Sequence, residues 1–123
     1  MARKHPVIPK RGEVFIVNFD PTIGSEIKNT RPALVLQNDI GNKYSSVTIV
    51  AAITSHNSGE KLYPTEVFIE AAEGGLDNDS AILLNQIRTV DKQRLVQKLG
   101  SASTTTMSKV HTALEVSLGM VEI

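Results

Sequence analysis

Short runs of β-branched and aromatic residues, interrupted by Gly, Pro, Asn and Asp, fill the first hundred positions of the chain. Gly12–Phe19 (GEVFIVNF) is the first such run, and it stops at Asp20-Pro21, a turn signal. Asp20–Thr30 holds Pro21, Gly24, Ser25 and Asn29 and reads as an exposed loop. Arg31–Gln37 (RPALVLQ) is a second strand, with Pro32 confined to its start or to an edge because proline cannot donate to a ladder. Asn38–Asn42 is turn chemistry. Val47–Ile53 (VTIVAAI) is apolar almost throughout, which predicts a strand buried on both faces. Beyond the polar loop Thr54–Pro64, Thr65–Glu70 alternates as a half-buried strand does. Glu73-Gly74-Gly75 breaks the chain, and Ser80–Val90 (SAILLNQIRTV) is a strand that turns polar midway, at Asn85, Gln86 and Arg88. Asp91–Arg94 is a turn and Leu95–Leu99 a short last strand.

The period then changes. Met107, Val110, Leu114, Leu118 and Val121 recur at spacings of three and four, one face of a helix, with Ser103 or Thr104 as its N-cap. Five or six short strands and one C-terminal helix describe an α+β domain, mainly β: a small barrel with a helix packed on it. The apolar stripe is more than one small core readily uses. Leu118, Met120, Val121 and Ile123 therefore cover a partner subunit, or else the helix simply plugs its own barrel.

Composition narrows the function classes. At 123 residues the chain is one domain, and 41% apolar content supports a core without staples. The absence of cysteine excludes disulfides, thiolate nucleophiles, zinc-thiolate sites and iron–sulfur clusters. No run of 18 apolar residues is present to span a membrane, and the basic start at Arg3-Lys4-His5 has no apolar segment behind it, so a soluble, cytoplasmic protein is expected. Thirteen basic and thirteen acidic residues cancel, yet the charges are segregated. Residues 1–12 carry Arg3, Lys4, Lys10 and Arg11 without an acid, and 88–98 carry four bases against Asp91. Six acids crowd residues 60–79, and that stretch is expected to lie away from any anion-binding groove.

Most enzyme chemistries lack their residues. His5, His56 and His111 are far apart in sequence, with no ligand-spaced partner, and Asp77-x-Asp79 beside Gly74-Gly75 is better read as a turn than as a magnesium site. No phosphate loop and no Gly-x-Ser-x-Gly elbow occur. Neither a metal nor a cofactor is expected. What stands out is polar groups at the ends of apolar strands: Arg31 opens the second, Thr54 closes the third, and Asn85, Gln86 and Arg88 interrupt the fifth. On one rim of a small barrel they would surround a bound anion. Alternatively they are a surface ion pair, a turn cap and ladder neighbours.

Four blocks in order carry a resemblance to a known family. They are Arg11-Gly12-Glu13-Val14 with Asn18-Phe19-Asp20-Pro21, then Gly24-Ser25-Glu26 leading into Thr30–Asn38 (TRPALVLQN). Ile49–Ser55 (IVAAITS) and Ser80–Leu95 (SAILLNQIRTVDKQRL) complete the set. Together they resemble the MazF/PemK family of toxin endoribonucleases, most closely its Gram-positive MazF (EndoA) branch. The resemblance covers residues 11–123 as a toxin domain and leaves 1–10 as a basic N-terminal extension. It implies an SH3-like barrel, of the CcdB/PemK-like kind, working as a homodimer. The implied activity is sequence-specific, metal-free cleavage of single-stranded RNA, restrained by a cognate MazE-like antitoxin. Its two functional positions map onto Arg31 and Thr54, and Ser25, Asn38, Asn85, Gln86 and Arg88 map onto RNA contacts.

Elementary chemistry agrees with that mapping. A nuclease without metal or thiol takes its nucleophile from the substrate, and RNA supplies the ribose 2′-hydroxyl. In-line attack yields a 2′,3′-cyclic phosphate and a 5′-hydroxyl. Arg31 is the forked, always charged group to stabilise the phosphorane, with Thr54 donating to the same phosphate. Proton transfer is the weak point, since arginine and threonine are poor bases. His56, two residues after Thr54, is a solvent-exposed loop residue or reads a base, or else it assists proton transfer. A different class of function, a CcdB-like toxin that acts by binding gyrase, would not need the Arg31/Thr54 pair.

Overall fold

The computed structural model describes residues 7–57 and 59–122. The basic extension at Arg3-Lys4-His5, and Ile123 at the end of the apolar stripe, lie outside the described residues. Among the described residues there are six strands: β1 (Glu13–Asn18), β2 (Thr30–Val35), β3 (Val47–Ser55), β4 (Glu66–Ile69), β5 (Ser80–Asp91) and β6 (Leu95–Ser101). Three helices accompany them: α1 (Asp39–Tyr44), α2 (Ala71–Gly74) and α3 (Thr104–Ser117), and a 3-10 turn at Lys92–Arg94 links β5 to β6. The strands form one antiparallel sheet in the order β4-β5-β3-β2-β1-β6. This is the expected α+β, mainly β architecture with a C-terminal helix.

Alternation along the strands sorts their apolar side chains onto two faces. Leu34, Ala51, Ile53, Ile82 and Leu84 point to a core completed by Val110 and Ala113 of α3. Ala33, Val35, Val50, Ala52 and Val90 point the other way, to a second core with Phe15, Val17, Phe19 and Leu95. Val50–Ile53 are all buried, as the unbroken apolar run predicted. Each such Val or Ile contributes about 1.5–3 kcal/mol, which makes β3 the fixed axis of the molecule.

The sheet is bent rather than closed by hydrogen bonds. Between the pairs Ala51↔Ile87 and Ile53↔Ile82, four residues of β5, Leu83–Gln86, stand opposite the single Ala52. This bulge bends β5, and beyond it Ser80–Ile82 pair with β3 on one side and with β4 on the other. The remaining gap between the edge strands β4 and β6 is filled by α2. Gly75 ends α2 in a left-handed conformation (φ 68°), and a Cβ there would lie 2.1 Å from the Leu99 carbonyl oxygen. Only glycine permits that approach.

Two features differ from the sequence reading. Asn38–Asn42 is not a turn but the start of a helix. The Asn38 side chain caps α1 by accepting from the Gly41 amide at 2.7 Å, and the buried Asn42 side chain ties α1 to the Gln37 carbonyl and the Thr48 hydroxyl. The C-terminal helix stops at Ser117, with Ser103 as its N-cap, so the stripe divides. Val110 and Ala113 serve this molecule's core, whereas Leu118, Met120 and Val121 are 60%, 68% and 42% exposed.

Candidate active site

β2 and β3 pair through Ala33↔Ala52, Leu34↔Ala51 and Val35↔Val50. Continuing that register past Pro32, which has no N–H to extend the ladder, sets Arg31 across from Thr54. Alternation sends both side chains to the same face. On the other side of β3, Thr54 pairs with Ala81 and Ser55 with Ser80, so the turn preceding β5 arrives at the same end of the sheet. The result is a cleft of about 190 Å³ lined by Arg31, Pro32, Ile53, Thr54, Ser55, Leu76, Asp77, Asn78 and Ser80. Pockets for drug-sized molecules run to ~300–1,000 Å³, so this one suits a phosphodiester and its sugar rather than a whole cofactor.

Arg31 is half-buried, and its Nε–H donates to the Lys28 carbonyl at 2.7 Å. That single bond directs the guanidinium, while its terminal nitrogens bind no other described residue. The loop before it is equally well tied. Phe19 donates its amide to the Asn29 carbonyl (3.0 Å), Asn29 donates its amide to the Asp20 carboxylate (3.0 Å), and Asn29 itself takes a positive φ of 66°. Arg88 donates to the Phe19 carbonyl, and Arg94 to those of Asn18 and Asp20. These two arginines hold the base of the loop that ends in Arg31.

The other expected contacts are scattered. Ser25 is exposed at the loop tip, beside Gly24. Asn38 lies beyond the opposite end of β2, some seven residues or ~23 Å of strand from Arg31, and its side chain is engaged as a helix cap. Asn85 and Gln86 sit in the β5 bulge, where neither side chain bonds a described residue. Arg88 pairs across from Val50, four residues back along β3 from Thr54, with one nitrogen already bound within the chain. His56 is not the exposed loop residue expected. It is buried, with its amide bonded to the Asp79 carbonyl (3.0 Å), Nε2 3.2 Å from the Glu60 carbonyl, and its ring edge-on to Phe68 at 6.2 Å. Its role in this structure is to close the loop after β3, because the bend of that loop turns the ring inward.

The acidic stretch 60–79 also does not lie wholly apart from the candidate anion site. Its member Asp77 lines the cleft that holds Arg31. Together with Ser55, Asn78 and Ser80, it is a site residue the sequence reading passed over. The signal was there in outline: pairing the Thr54-Ser55 end of one strand with the Ser80 start of another carries Asp77 to Arg31. Among the described residues no three His, Asp or Glu side chains converge as a metal site. Glu73 on α2 accepts the Ser103 amide at 3.1 Å. Partial burial pushes its carboxyl up, but hydrogen bonds from Thr106 and Ser103 outweigh burial and hold it below the usual glutamate value.

Residues 10–118 match the family described as PemK-like, MazF-like toxin of type II toxin-antitoxin system. The chain belongs to that family. Its relatives include Endoribonuclease EndoA of Bacillus subtilis, 48% identical over 94% of this chain and 99% of that protein. Endoribonuclease MazF of Staphylococcus epidermidis is 49% identical over 90% of this chain and 92% of that protein. Among solved structures, MazF from Deinococcus radiodurans superposes with a TM-score of 0.78 at 30% identity, covering 93% of this chain and 99% of that one. A MazE–MazF structure from the same organism matches with a TM-score of 0.70 at 26% identity, over 94% and 99% of the two chains. Membership in the MazF family is thus carried by sequence and fold alike, its Gram-positive branch by the sequence identity to the Bacillus and Staphylococcus relatives, and the MazF-type fold places Arg31 and Thr54 in one cleft. No helix among the described residues is long and apolar enough to cross a membrane.

Proposed function

We propose that this protein is the toxin of a type II toxin–antitoxin pair: a sequence-specific, metal-independent endoribonuclease acting on single-stranded RNA in the cytoplasm. The observation that carries the reading is the convergence of Arg31 and Thr54, from two different strands, on one cleft of phosphodiester size. The endoribonuclease names of the Bacillus and Staphylococcus relatives support it. In the cleft, Arg31 binds the scissile phosphate through the terminal nitrogens its Lys28 contact leaves available. Thr54 donates to the same phosphate. Attack by the ribose 2′-hydroxyl then leaves a 2′,3′-cyclic phosphate and a 5′-hydroxyl. A preorganised donor aimed at developing charge is worth about 3 kcal/mol, so each of the two accounts for ~100-fold in rate.

Ser25 on the loop tip and Asn85 and Gln86 in the bulge are the RNA contacts this reading retains as available, with Arg88 contributing through the loop it holds. The toxin domain spans 11–123 and residues 1–10 precede it as an extension, the family match beginning at residue 10. The partners are a MazE-like antitoxin, supported by the MazE–MazF neighbour, and a second copy of this chain across Leu118, Met120 and Val121.

The test is incubation of purified protein with a long single-stranded RNA in EDTA, with Arg31→Ala alongside. Discrete fragments ending in cyclic phosphate from the wild type, reduced at least ~100-fold in the variant, are expected. Toxicity that survives both Arg31→Ala and Thr54→Ala would point instead to a toxin that acts by binding, as in a gyrase-directed protein.

A further inference from the structure

Cleavage by a 2′-hydroxyl requires something to take its proton. Arg31 is always protonated, and the hydroxyls of Thr54, Ser55 and Ser80 and the amide of Asn78 accept hydrogen bonds but not protons in neutral water. Of the side chains lining the cleft, one is a Brønsted base: the carboxylate of Asp77.

The surroundings of Asp77 single it out further. Neighbouring acids are engaged within the fold: Asp79 accepts the Ala71 amide at 2.9 Å, and Glu73 accepts the Ser103 amide at 3.1 Å. Asp77 is exposed and bonds no described residue. It also lines the same cleft as Arg31 without an ion pair joining the two. Two opposite charges that line one cleft without forming an ion pair leave room between them. A phosphodiester, with its phosphate toward Arg31 and its sugar toward Asp77, fills that space with the right polarity. The groups facing Asp77 from the surrounding elements are Arg31 on β2, neutral Thr54 and Ser55 on β3, and neutral Asn78 and Ser80 on its own segment.

We propose that Asp77 is the general base of the reaction, an inference that rests on the nuclease reading above. A carboxylate oxygen of Asp77 takes the 2′-hydroxyl proton as the bond from the 2′-oxygen to phosphorus forms. The bond from phosphorus to the 5′-oxygen breaks, and its electron pair stays with that oxygen, which is protonated by water at the open mouth of the cleft. Asp77 then returns its proton to solvent. General-base catalysis contributes ~10²–10⁴-fold.

The test is single-turnover cleavage of a short RNA cut by the wild type, measured against pH for wild type, Asp77→Asn and Asp77→Glu. Binding is measured separately on the same RNA carrying a 2′-O-methyl group at the cleaved nucleotide. The expected result is a loss of ~100-fold or more in rate for Asp77→Asn, with disappearance of the acid limb of the pH profile. Affinity for the methylated RNA stays within about threefold and Asp77→Glu recovers part of the rate. A rate for Asp77→Asn within threefold of wild type, or a loss that appears wholly as weaker binding, overturns the assignment. Absence of cleavage by the wild type itself removes the nuclease reading, and the role of Asp77 with it.

Discussion

Glu73 shows how a single side chain is tied to folding. Its carboxylate accepts the Ser103 amide at the first turn of α3, where orphan N–H groups and the helix dipole favour negative charge. The hydrogen bonds from Ser103 and Thr106 hold its folded-state titration below the unfolded one. Stability from this group is therefore fully present above the ordinary glutamate range and is lost as pH falls through the lowered value. Glu73→Gln is expected to lower stability by about 1 kcal/mol at pH 7, the scale of one hydrogen bond. The difference from wild type should shrink toward zero in acid. Urea unfolding midpoints at pH 7 and pH 3 check this; a difference that persists undiminished at pH 3 would refute it. Asp77, four residues on, has no such partner among the described residues.

At the level of elements, the site depends on how β5 is routed. Both of its halves pair with β3, on either side of the bulge, and its first half also carries β4 on its other edge. Between the β4 edge and β6 stands α2, whose left-handed Gly75 abuts the Leu99 carbonyl. Gly75→Ala places a methyl at 2.1 Å from that oxygen and forces an unfavourable positive φ. The expected cost is about 3 kcal/mol, read as a lowered urea midpoint with an unchanged slope. Since Gly75 stands directly before Leu76 and Asp77, a displaced α2 also disturbs the cleft wall. The strands and α3 were legible in the sequence because their burial follows local periods of two and 3.6. The helix α1 was not, because six residues rich in polar side chains carry little amphipathic signal. It exists through a cap from Asn38 and a buried Asn42 that bonds Gln37 and Thr48.

For the molecule as a whole, the divided C-terminal stripe carries a prediction about assembly. Val110 and Ala113 complete the core under α3, and Leu118, Met120 and Val121 are left outside it. Exposed apolar residues clustered at one chain end suit a symmetric partner. Replacing Leu118 and Met120 together by lysine is expected to convert a particle of twice the 13.3 kDa chain mass into one of the chain mass. Because both residues are exposed, thermal unfolding measured on the separated monomer should remain cooperative. Sedimentation equilibrium decides: a variant that sediments as the wild type does places the interface elsewhere.

By itself the sequence determined the order of the strands and α3, the two-sided burial of β3 and the positions of Arg31 and Thr54 at strand ends. Each of these follows from side chains close together in the chain, where alternation and turn chemistry act directly. Only the tertiary structure decided which polar groups meet. Antiparallel pairing brings Ser80 beside Ser55 and so carries Asp77 to the cleft, although the local charge pattern set that acidic stretch apart from Arg31. The same pairing leaves Asn38 at the far end of β2, and the closing of the 56–60 loop turns His56 inward. Register between strands distant in sequence is a property of the whole packed sheet, because it is settled by both cores at once rather than by any one segment.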